Sequence, residues 1–213
     1  MTERLDITTY EAVNQNFNSF YNSNLELNKP SRELTEIASQ LDMNDLSGTV
    51  EKFEKFTTED IIDYLVFNHH YYMTKKLPEL QQSIEHVFGQ EDVSNLLRTL
   101  ALFFGKYQKS LISHIKMEEN VFFPMVKSLL NTSKEQLSKT KKWTSFVEFM
   151  GNHDPIEDEL KKVNLIIKEA VQGLKVPFAY SVFMNQIDLF EFDLRRHAII
   201  EDEVLLPRVE ALL

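Results

Sequence analysis

The stretch HIKMEENVFFPM, from His114 to Met125, recurs as HAIIEDEVLLPR, from His197 to Arg208. In both, Glu follows His by four residues, and then come Val, two large apolar residues and Pro. The two copies start 83 residues apart (197 minus 114). Residues i and i+4 share a helix face, one turn apart. Read as helices, each copy therefore presents an imidazole and a carboxylate in one direction: His114 with Glu118, and His197 with Glu201. Two such pairs on facing helices would surround a cavity with two nitrogen and two carboxylate donors.

The sequence around the repeat supports long helices. Gly and Pro number 5 and 6, so 11 of 213 residues, about half their usual share. Strands and tight turns consume those residues, and their shortage favours helices joined by few loops. The segment TTEDIIDYLVFNHHYYMTKKLPELQQSIEHVF opens on a capping signal, Thr58 followed by Glu59 and Asp60, and continues with helical periodicity. Pro78 can kink that helix without ending it. Further helical patterns run from about Asp92 to Leu130, from Ser138 to Leu174 with bends near Gly151 and Pro155, and from Pro177 to Leu213. Short links such as NTSKE and GLKVP imply antiparallel neighbours. The reading is an all-α, up-and-down four-helix bundle over residues 57–213. Residues 1–56 are rich in Asn, Ser, Thr and Glu with broken apolar spacing, and predict a small helical appendage with a thin core of its own. Within it, Ser31 caps a short helix.

Several function classes are excluded or disfavoured. The net charge of −10 and the lack of a Lys/Arg run argue against nucleic acid as a partner. No apolar stretch approaches membrane-spanning length and no signal peptide opens the chain, so the expectation is no membrane and a cytoplasmic location. The absence of cysteine removes disulfides, thiolate ligands and a cysteine nucleophile.

Five of the six histidines are spread over the four predicted bundle helices: His69 and His70 on the first, His114 on the second, His153 on the third, His197 on the fourth. A lone helical His is usually structural or exposed, but this distribution, with the repeat, points to a metal site. An imidazole and carboxylate shell suits iron, and a glutamate can bridge two ions. His86 lies sixteen residues after His70, about 24 Å along a helix, and is set apart from the site. His69 and His70 diverge by about 100°; Ile62, Val66 and Met73 flank one, Leu65 and Tyr72 the other, and phase leaves the choice open. VFFP and VLLP are read as core packing and helix ends.

The strings IIDYLVFNHHYYMTKKLPEL, HIKMEENVFFPM, NHDPIEDEL and HAIIEDEVLLPR, in this order from about residue 60 onward, resemble the hemerythrin-like, or HHE cation-binding, family. More specifically they resemble the di-iron proteins called repair of iron centres proteins. The resemblance implies His70, His114, His153 and His197 as imidazole ligands and Glu118 and Glu201 as bridging carboxylates. Glu157 stands where oxygen-carrying hemerythrins have a second His on the third helix, so the shell has one imidazole fewer. Asp202 has the spacing of the oxygen carriers' aspartate, yet the repeat favours Glu201, and both Glu119 and Asp202 are set aside because five residues of regular helix turn them about 140° off the His direction. The repair proteins usually carry an N-terminal paired-cysteine motif; NLELNKPSRELTEIASQL lies at the matching place without either cysteine.

The expected function is a non-haem di-iron protein of the oxidative and nitrosative stress response, which helps repair damaged iron–sulfur clusters by supplying iron. Two iron ions, bridged by carboxylates and an oxo group, would leave positions for O₂, NO or peroxide. Reversible O₂ or NO binding and reduction of NO or peroxide are the alternatives. A metal-binding donor is favoured over a turnover enzyme.

Overall fold

The computed structural model describes residues 27–42, 48, 50–88, 95–132, 156–170, 172–173, 176 and 178–212. His153, Gly151 and Pro155 lie outside the described residues, as do all of residues 1–26 and the side chain of Glu157. All regular structure among the described residues is helical.

Helix α1 is Arg32–Ser39. The Ser31 side chain accepts from the Leu34 amide at 3.1 Å and starts it. Helix α2 consists of Thr58–Tyr71, a widened turn Tyr72–Lys76, and Leu77–Phe88. Its cap is Thr57, one residue earlier than the sequence suggested. Thr57 accepts from the Asp60 amide at 3.1 Å while the Asp60 carboxylate accepts from the Thr57 amide at 2.9 Å. Helix α3 runs Asn95–Met117, then a widened turn Glu118–Phe122, then Phe123–Leu130. Helix α4, Ile156–Ala170, is followed by Gly173 at φ 77°, the left-handed conformation glycine adopts without steric cost. Helix α5 is Phe178–Ile199, a widened turn Ile200–Leu205, and Leu206–Glu210. Pro78, Pro124 and Pro207 sit inside continuing helices, so VFFP and VLLP do not end them as the sequence reading held.

Helices α2, α3, α4 and α5 each pack on two of the others in an up-and-down bundle. Its interior has two apolar clusters. One contains Met73, Leu80, Tyr107, Leu111, Leu160, Phe183 and Phe190. The other contains Ile61, Leu65, Phe122, Val126, Val204 and Val209. Along α2, α3 and α5 the chain passes from one cluster to the other through a buried polar layer formed by His69, Glu118, His197 and Glu201.

The described part of the N-terminal region shares the bundle's core instead of having its own. Leu34, Ala38, Leu41 and Phe53 are buried in the second cluster, with Phe53 fully inaccessible. Arg208 clamps the junction, donating to the carbonyls of Phe53 and Phe56 at 2.7 Å each, and Arg196 donates to the Ser39 carbonyl at 2.9 Å. No described helix is long and apolar enough to cross a membrane.

Candidate metal centre

The i,i+4 pairing read from the repeat is present on α3. His114 Nε2 lies 2.7 Å from Glu118 Oε1, and the Glu118 side chain is 0% exposed. The other oxygen of the same carboxylate, Oε2, lies 3.2 Å from His69 Nε2. His69 Nε2 in turn lies 3.0 Å from His197 Nε2 on α5. Two groups of donors result, each with its atoms within 4.8 Å of one another: His69, Glu118 and His197, and His114, Glu118 and Glu201. Glu118 belongs to both.

Four of the six ligands expected from the sequence, His114, Glu118, His197 and Glu201, therefore meet. His153 lies outside the described residues. On α2 the imidazole that joins the cluster is His69, 1% exposed, while His70 is half-buried and belongs to neither group. The physical reason is phase. On the His69 side Leu65 and Tyr72 are both buried; on the His70 side Ile62 and Met73 are buried but Val66 is only half-buried. The Leu65 and Tyr72 spacing was the signal available in the sequence. His86 is exposed and belongs to neither donor group.

Glu119 is a participant that the sequence reading set aside. Its Oε1 lies 3.0 Å from His69 Nδ1. A carboxylate only accepts, so Nδ1 carries the proton and Nε2 faces the donor cluster. Burial alone would push the His69 pKa down. Hydrogen bonds and charge from Glu118 and Glu119 overcome it and raise the pKa from 6.5 to about 9. At neutral pH the metal-free chain thus holds an imidazolium among the carboxylates. Phe123 of the repeat stacks on the His69 ring at 5.9 Å, and Tyr72 stands edge-on to His197 at 5.7 Å.

Beside the donors is a cavity with room for about one water-sized body, lined on its apolar side by Leu111, Ile115, Ile156, Leu194 and Ala198. Chemically, the layer offers nitrogen and hard oxygen donors in a dry setting, with one carboxylate shared between two groups. That donor set fits a pair of divalent transition-metal ions and includes no soft sulfur ligand.

No family model matches the chain. The chain is similar to the iron–sulfur cluster repair protein YtfE of Salmonella newport, and equally to its counterparts in Salmonella heidelberg and Salmonella agona. Each is 28% identical over 159 residues, 71% of this chain and 66% of the relative's own length. The resemblance to hemerythrin-like iron–sulfur cluster repair proteins, first visible in the histidine and glutamate motifs, thus extends over most of the chain.

Proposed function

We propose that the chain is a cytoplasmic non-haem di-iron protein of the oxidative and nitrosative stress response that helps restore damaged iron–sulfur clusters by supplying iron. The observation that carries the reading is the sharing of Glu118 between two donor groups, since a carboxylate with one oxygen in each is the arrangement a metal pair requires. His69, His197 and Glu118 would hold one ion, and His114, Glu118 and Glu201 the other. His153 is proposed to add a further donor. Glu119 would hold the His69 ring in place. When bound, the metals would supply Lewis-acid and redox chemistry toward O₂, NO or peroxide. The relatives named for iron–sulfur cluster repair support damaged iron–sulfur proteins as partners. With no cysteine in the chain, iron would leave through oxygen and nitrogen donors alone.

The small apolar-sided cavity next to His114 and His197 supports a second reading, reversible binding of O₂ or NO. One experiment separates the two. Protein expressed with ample iron is analysed for metal, expected at about two irons per chain, and then mixed with an NO-damaged iron–sulfur protein. Transfer of iron with recovery of the cluster supports repair; retained iron with a reversible NO spectrum supports the second reading. Zinc or no metal in the purified chain would overturn both.

A further inference from the structure

The repeat contains a proline that the metal chemistry leaves unexplained, and the backbone gives it a role. Each widened turn is closed by an amide that reaches back five residues: Leu77 to the Tyr72 carbonyl, Phe123 to the Glu118 carbonyl, and Leu206 to the Glu201 carbonyl. Every one of these amides belongs to the residue immediately before a proline, Pro78, Pro124 or Pro207. Among the described residues, each helical proline follows such a turn and each such turn precedes a proline. Turns of this kind make up well under 1% of residues in ordinary proteins, so coincidence is a poor account of three matches.

The cause is steric. Proline has no N–H, and its ring collides with the carbonyl four residues back. A helix that continues through proline can relieve that collision by letting the preceding amide bond five back, which widens the turn ahead. The residue accepting that bond is six before the proline in all three cases, and all three acceptors face the polar layer. Glu118 and Glu201 are donors in the cluster, and Tyr72 packs edge-on against His197.

We infer that Pro78, Pro124 and Pro207 are positioning residues: each imposes a widened turn that sets the direction of the side chain six residues before it, aiming Glu118, Glu201 and Tyr72 into the layer. Two further observations agree. Adjacent side chains of an α-helix diverge by about 100°, yet Glu118 and Glu119 grip the two nitrogens of one imidazole, at 3.2 and 3.0 Å. Past Glu201, two regular turns would bury Arg208, but Val209 is the buried residue and Arg208 is half-buried. The buried face has advanced by one residue, as a widened turn requires.

The link to metal rests on the di-iron reading; the backbone part stands without it. The test uses the full chain with Pro124→Ala, Pro207→Ala and Pro78→Ala. In metal-free protein, a crystal structure or amide NMR should show the Phe123 bond moving from the Glu118 to the Glu119 carbonyl, and Leu206 from Glu201 to Asp202. With iron(II) as probe, affinity in the Pro124→Ala and Pro207→Ala chains should fall about 10–100-fold, the range seen when groups that orient ligands are removed. Helix content and thermal stability should hold or rise, because alanine suits a helix better than proline. Variants that keep the five-residue bonds, or lose iron affinity only in step with lost stability, overturn the inference. If the unsubstituted chain takes up no iron, the di-iron reading fails, and the amide readout alone decides the role of the prolines.

Discussion

Replacing Glu118 with Gln should affect the chain quite differently from the same change at Glu119, although the two are adjacent. Glu118 is fully buried and places one oxygen in each donor group. An amide nitrogen cannot ligate, so each group would lose a carboxylate oxygen or accept a weaker carbonyl. Iron should fall from about two per chain to one or fewer. Glu119 reaches the outer nitrogen of His69 and belongs to neither donor group, so Glu119→Gln should retain both irons at an affinity about 10–100-fold lower. The metal-free chain supplies a second readout. The rise of His69 from 6.5 to about 9 corresponds to about 3 kcal/mol in favour of the imidazolium. Glu118 heads the favourable contributions, so neutralising it should remove about 1–2 kcal/mol of that stabilisation. Because the folded pKa is raised, this stability is fully present below pH 6.5 and is lost as pH climbs through about 9. Urea denaturation of metal-free Glu118→Gln should therefore show a clear loss of stability at pH 6. At pH 10 there should be no loss, or a gain, since a buried amide costs less to desolvate than a carboxylate. Equal iron content in the two variants, or a stability loss that is the same at pH 6 and pH 10, would refute the shared-carboxylate reasoning.

Iron uptake should release the His69 proton, so iron(II) affinity measured by titration should climb with pH throughout the range below about 9 and level off above it. Phe53→Ala should cost about 3–5 kcal/mol in chemical denaturation, because the ring is fully buried in the second cluster, and deletion of residues 1–56 should be at least as damaging. Ala198→Leu, which fills the cavity beside the donors without removing one, should leave two irons bound while slowing NO binding in stopped-flow spectra.

The bundle and the His114–Glu118 pair were legible because a four-residue spacing maps directly onto one helix face, and its repetition pointed to His197 and Glu201, which join separate donor groups. The choice between His69 and His70 was not, because the apolar residues flanking each gave competing phases. The imidazoles themselves decide it: His69 is buried and joins the donors, while His70 is half-buried and belongs to neither group. Glu119 was set aside by regular-helix geometry, which a widened turn at Glu118–Phe122 does not obey. The same turn explains why Pro124 and Pro207 read as helix ends: proline forbids one bond pattern, and the sequence does not announce that another will replace it. The broken apolar spacing before residue 57 hid a shared core, since Leu34, Ala38, Leu41 and Phe53 are few but all point into the bundle.

The buried polar layer between two apolar clusters has a mechanical meaning as well. Without it, the helices would be free to slide along one another, since apolar contacts alone tolerate alternative alignments. A slip of one turn, 5.4 Å, would carry Glu118 and Glu201 out of reach of His69, His114 and His197 and into an apolar cluster. Breaking a buried pair in this way costs about 3–5 kcal/mol each time. The layer acts as a detent that holds α2, α3 and α5 in a single register, and in the metal-free chain a proton on His69 joins its carboxylates across the helices.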